Sequence, residues 1–290
     1  MGKKIMGKWE KELCEACVKN DLKKVQALLS SSIYEYIMKN EGFNENNELE
    51  HPLLICANYG YLEMLQLLLN YSDKTKYFDI NYKNKHQEDT LLLASRWGHI
   101  EIVKYLLETP ELKEKINIYT QDEKKEDVFM MSCKSSNIKL IKFLLEESSF
   151  KDIWDLNKVN TEGKNILMLA GRSANQEIIS YLLNQKDSID LLHKNKKGED
   201  IFLFLCEMIY RPSNGAFERL YIEKSKFKFL NILKFFLFDK NLVISDYNRK
   251  YLNNEKNIFE EALDLIEKKD LNDILNNTLM KSTKNNIKKI

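Results

Sequence analysis

A unit of two short apolar segments recurs along this chain at a fixed interval, and that interval limits the possible folds more than any other feature. His51, Asp89, Asp127 and Asn165 open the same pattern, and the steps between them (89 − 51, 127 − 89, 165 − 127) are all thirty-eight residues. The central copy, Asp89 to Glu108, reads DTLLLASRWGHIEIVKYLLE. A first apolar run from Leu91 to Arg96 meets a break at Gly98-His99. A second run follows, with Ile102, Val103, Leu106 and Leu107 at helical spacing. Neither segment is long enough to be a stable helix alone in water. Together they carry more apolar surface than one helix pair can bury, so each unit needs a copy of itself on either side. The paired leucines keep phase throughout: Leu68-Leu69, Leu106-Leu107, Leu144-Leu145 and Leu182-Leu183.

Imperfect copies extend the series. Glu12 to Leu29 has the helical pattern with a more polar first face. Asp200 opens another first helix, and its second, ILKFFL from Ile232, comes late. A last pair starts near Glu261. Polar outer units are what a stacked array needs to keep its end faces soluble. Asp21, Asn137, Asn175 and Asp270 stand where second helices begin, and their side chains are suited to capping an N-terminus. Between the units lie polar tracts rich in turn formers, such as Asn81 to Glu88 and Tyr119 to Glu126, which read as projecting hairpin loops.

These residues resemble the ankyrin repeat. His51-Pro52-Leu53 follows its T-P-L opening in two of three places, and Gly98 to Lys104 follows its G-H-x-E-I-V-K segment. Asp79-Ile80-Asn81 and Asp155-Leu156-Asn157 are similar to the D-V-N triplet before each finger. The resemblance covers roughly residues 11 to 275. It implies an all-α repeat solenoid of stacked helix-turn-helix units with short β-hairpin fingers. Leu54, Leu92, Met130 and Met168 replace the family's histidine, which removes that side-chain network. Gly60 and Gly98 sit between the helices, but Ser136 and Ala174 take their place in later units, where a Cβ is strained if φ stays positive. The units are also longer than the usual ~33 residues. The expected organisation is a frayed lead-in (1–10) and an array (11–280) of about seven units, starting near 11, 51, 89, 127, 165, 200 and 260. An insertion falls at 210–226 and a basic tail at 281–290.

A net charge of +1 provides no overall field to select nucleic acid or an anionic membrane. Five cysteines at irregular spacing point to free thiols in a reducing compartment: the cytoplasm, or a host cell if the chain is delivered there by a pathogen. No run approaches the ~20 apolar residues of a membrane span. Cys14 and Cys17 form C-x-x-C inside a helical pattern with no strand before it, so they read as core thiols. The four histidines form no metal-binding pattern, the glycines form no phosphate loop, and neither an enzyme nor a cofactor is expected.

One register does suggest binding. In ankyrin-like units, the last turn of the first helix and the adjoining loop face the concave groove. The helix positions there include Tyr59, Arg96, Trp97, Lys134 and Arg172. The loop positions include His86, Glu88, Lys124, Glu126 and Lys164. Tyr, Trp and Arg are enriched in binding hot spots. The expectation is a non-catalytic, monomeric module that binds a protein partner through groove and fingers, with an acidic loop or helix of the partner as the candidate contact. The alternative is a nucleic-acid or small-anion site built on Arg96, Lys134 and Arg172, which finger glutamates such as Glu88, Glu126 and Glu162 would oppose.

Overall fold

A computed structural model describes residues 2–32, 51–71, 76–172, 175–185, 189–190, 193–201 and 204. Ala174, the 210–226 insertion, the helices expected from Ile232 and Glu261, Asp270 and the 281–290 tail lie outside them. The chain forms two compact units. The first runs to Asp155 and includes Val159–Thr161; the second holds Leu156–Lys158 and the chain from Glu162 onward.

In the first unit, α1 (Gly2–Val18) and α2 (Leu22–Leu29) form one helix pair. α3 (Pro52–Tyr59) with α4 (Leu62–Leu69), and α5 (Thr90–Trp97) with α6 (Ile100–Glu108), form the next two. A short α7 (Pro110–Lys113) follows, then α8 (Val128–Lys134) with α9 (Ile138–Lys142), which continues into a turn of π-helix over Phe143–Glu147. First helices stack in sequence, α1 on α3, α3 on α5 and α5 on α8. α3, α5 and α8 are apolar nearly all round because neighbours cover them, and Leu53 to Ala57, Leu91 to Ala94 and Val128 to Met131 are all buried. The second helices bury a single stripe, as Ile102, Val103, Leu106 and Leu107 show. In the second unit, α10 (Ile166–Arg172) and α11 (Gln176–Asn184) repeat the pattern, with Ile178, Ile179 and Leu182 buried.

The lead-in is helical where the sequence suggested fraying. α1 begins at Gly2, and Trp9 and Glu10 are buried, with the Trp9 ring edge-on to Tyr77 at 5.8 Å. An aromatic with an apolar wall to cover extends the helix backwards.

The expected caps form. Asp21 accepts from the Lys24 N–H at 3.0 Å, and Asn137 and Asn175 each accept two N–H groups of their own first turns. The opening residues of the units also cap, and they do a second job. His51 accepts from the Leu53 N–H through Nδ1, and its Nε2–H donates to the Tyr77 carbonyl at 2.8 Å. Asp89 caps Leu92 and takes the Thr120 hydroxyl. In the second unit, Asn165 caps Met168 and donates to the Asp190 carbonyl at 3.4 Å. Each therefore fastens its helix to the segment that follows its own repeat. That replaces the histidine network whose positions here hold leucine and methionine.

Fingers are tight turns rather than strand ladders, and the single β-bridge among the described residues joins Gln121 and Asp127. Asn84 Oδ1 accepts the N–H groups of His86 and Glu88, Asp122 Oδ1 those of Lys124 and Glu126, and Asn195 Oδ1 those of Lys197 and Glu199. The residue before each glutamate is left-handed: Gln87 (φ 60°), Lys125 (φ 59°) and Gly198 (φ 82°). Neighbouring turns join through the backbone within each unit. The Glu123 N–H donates to the His86 carbonyl at 3.0 Å and the Thr161 N–H to the Lys124 carbonyl at 2.8 Å. In the second unit the Lys196 N–H donates to the Glu162 carbonyl at 3.0 Å.

Candidate partner-binding face

The two aromatics at the groove register stand in solvent. Tyr59 ends α3 and Trp97 ends α5, one repeat apart, and they are 49% and 55% exposed. Tyr61 stacks on Tyr59 at 5.6 Å between ring centres and holds that ring in place. The turns beneath them are fixed. Gly60 and Gly98 are left-handed (φ 78° and 75°), and a Cβ on Gly60 would lie 2.6 Å from His99 Nδ1. His99 Nε2 bonds the Asn58 carbonyl at 3.1 Å, and the Asn137 side-chain amide donates to the Gly98 carbonyl at 2.7 Å. Each turn is thus tied to the next repeat.

The cations expected in the groove are engaged within the first unit. Arg96 pairs with Glu88, and Lys134 pairs with Glu126 at 2.6 Å. Both carboxylates are buried. Glu88 also receives the Asn84 amide, and Glu126 the Asn160 amide. Glu88 and Glu126 are therefore internal anchors of the fingers, with their charge matched by Arg96 and Lys134. His86 faces Glu123 at 3.3 Å with both side chains about half exposed, and the Lys124 carbonyl takes the Thr161 N–H. In the second unit, Lys164 pairs with Glu162 at 2.6 Å, and Arg172 is exposed. Tyr59, Arg96, Trp97, Lys134, His86, Glu88, Lys124 and Glu126 thus belong to one body and Lys164 and Arg172 to the other.

Sequence reasoning missed Asn84, Asp122, Asn160 and Asn195, which hold the fingers. Their signal was legible as Asn or Asp four residues before glutamate at 84/88, 122/126 and 195/199. Glycine marks the left-handed position only in the later turns, at Gly163 and Gly198, so Gln87 and Lys125 hid the recurrence.

Among the described residues no cluster of His, Cys, Asp and Glu is arranged to hold a metal ion, and no helix is long and apolar enough to cross a membrane. Cys14, Cys17, Cys56 and Cys133 are free and buried, and burial pushes the Cys133 thiol well above its usual range. A thiol raised in this way is a poor nucleophile at neutral pH.

Stacked helix pairs joined by tight polar turns define a repeat protein, a class whose members bury their core between neighbouring units. A family profile described as Ankyrin repeats (3 copies) matches residues 13–120 and again 111–195, which together exceed half of the 290 residues. The chain belongs to the ankyrin-repeat family, whose repeats bind protein partners. No curated protein matches the sequence. Among solved structures, a similar chain comes from a complex of a predatory endopeptidase from Bdellovibrio bacteriovorus with an immunity protein. It is 22% identical with a TM-score of 0.49, over 76% of this chain and 97% of that one.

Proposed function

We propose that this chain is a non-catalytic protein-interaction module whose first unit receives its partner on the face bearing Tyr59 and Trp97. The observation that carries this reading is the exposure of two large aromatics at one register of consecutive repeats. Folding alone would favour burying or shortening them, because each exposes apolar area worth roughly 25 cal/mol per Å². Arg96, next to Trp97 in the chain, and Lys134, one repeat on from Arg96, have their charge already matched by Glu88 and Glu126. A partner meeting this part of the groove would contact aromatic rings over a neutralised base. That favours an apolar ridge of a protein over a phosphate backbone, which needs unmatched cations in series.

The reading is tested by capturing a partner on the immobilised chain and titrating it against wild type and Trp97→Ala. The variant should weaken binding by about 2 kcal/mol and leave helicity unchanged. Equal affinity would move the site to the fingers.

A further inference from the structure

In the first unit, each charged groove position is matched by a finger carboxylate eight residues earlier, Glu88 for Arg96 and Glu126 for Lys134. One repeat after Glu126 the finger holds Lys164, and one repeat after Lys134 the helix holds Arg172. A carboxylate–cation pair has become two cations. Lys164 turns to Glu162 at 2.6 Å and lies over the Phe204 ring at 5.3 Å. Arg172, in the last turn of α10, is exposed, and no described carboxylate forms an ion pair with it. The adjoining finger adds the exposed Lys196, whose N–H bonds the Glu162 carbonyl.

We infer that Arg172 is a docking position for an Asp or Glu side chain of an acidic protein segment, which supplies the carboxylate that earlier repeats hold at 88 and 126 and that Lys164 replaces here. The inference rests on the reading of the chain as a partner-binding module. A guanidinium offers a planar fork of donors that matches a carboxylate with two parallel hydrogen bonds. The Lys164 substitution removes the internal competitor for that fork and adds a second positive charge beside the finger. A nucleic-acid strand would need several unmatched cations along its backbone, whereas Glu162 and Glu199 interleave the lysines here.

The test uses the full chain and a labelled polyglutamate peptide, followed by fluorescence anisotropy at low salt. Wild type should bind it. Arg172→Ala should weaken binding about three- to tenfold, the range of an exposed to partly desolvated charge pair. Lys164→Glu, which places a carboxylate eight residues before Arg172 as at 88 and 126, should weaken binding as much. Failure of wild type to bind, or variants that bind as tightly as wild type, would overturn the inference. So would binding of a single-stranded oligothymidylate as tightly as the peptide. Because Tyr59 and Trp97 are untouched, a captured partner that still depends on them would leave the module reading standing while this one fell.

Discussion

Ser136 holds a left-handed backbone (φ 61°) with a side chain attached, at the position where earlier units use Gly60 and Gly98. An L-residue there costs about 1–2 kcal/mol, and glycine's extra unfolded-state freedom costs roughly 0.5–1 kcal/mol. Ser136→Gly should therefore stabilise the chain by about 0.5–1 kcal/mol in urea unfolding, and Lys125→Gly should act alike in the finger. The reverse change is not tolerated at residue 60, where a Cβ would fall 2.6 Å from the His99 ring. Gly60→Ala should cost at least about 1–2 kcal/mol. Arg96 illustrates why exposure must be judged with partners. It is partly exposed, yet Arg96→Ala would strand the buried Glu88 carboxylate and should cost about 1–3 kcal/mol of stability, measurable as a lower urea midpoint. The sequence marked Arg96 as a contact residue because composition reveals charge and not its partner.

At the scale of the helix, the caps were legible and their second partners were not. Asp21, Asn137 and Asn175 declare themselves by residue type at a recurring place. The bonds from His51 to Tyr77 and from Asp89 to Thr120 join residues twenty-six and thirty-one positions apart, which no local pattern encodes. His51 gives this scale its pH dependence. Burial, opposed by its bond to the Tyr77 carbonyl, lowers its pKa from 6.5 to about 4. The folded value lies below the unfolded one, so the linked stability is complete above pH 6.5 and is lost as pH falls toward 4. The loss is on the order of 3 kcal/mol. Asp89 slopes the other way, because burial raises its carboxyl and protonation then favours the fold at acid pH. Comparing His51→Asn with wild type isolates the histidine. Asparagine keeps a capping oxygen, and the variant's stability should fall less between pH 6.5 and 4. Parallel slopes would mean that His51 is not held neutral.

For the molecule as a whole, the thirty-eight-residue step made the helix pairs legible, because period and apolar phase are properties of the chain itself. The groove was legible only in part. Tyr59 and Trp97 stand exposed at that register, while Arg96 and Lys134 are engaged by buried carboxylates of the adjoining fingers. The finger turns were hidden because Gln87 and Lys125 adopt a conformation that sequence reading assigns to glycine. The central claim is that the exposed aromatics serve a partner and are dispensable to the fold. Its most direct test is calorimetric titration of a captured protein partner into wild type and Tyr59→Ala/Trp97→Ala, with thermal melts in parallel. This pair leaves the Glu88–Arg96 bond intact. The account predicts a loss of about 2 kcal/mol or more in affinity, roughly thirtyfold in Kd, with melting unchanged. Equal affinity, or a melting temperature that falls with the rings, would contradict it.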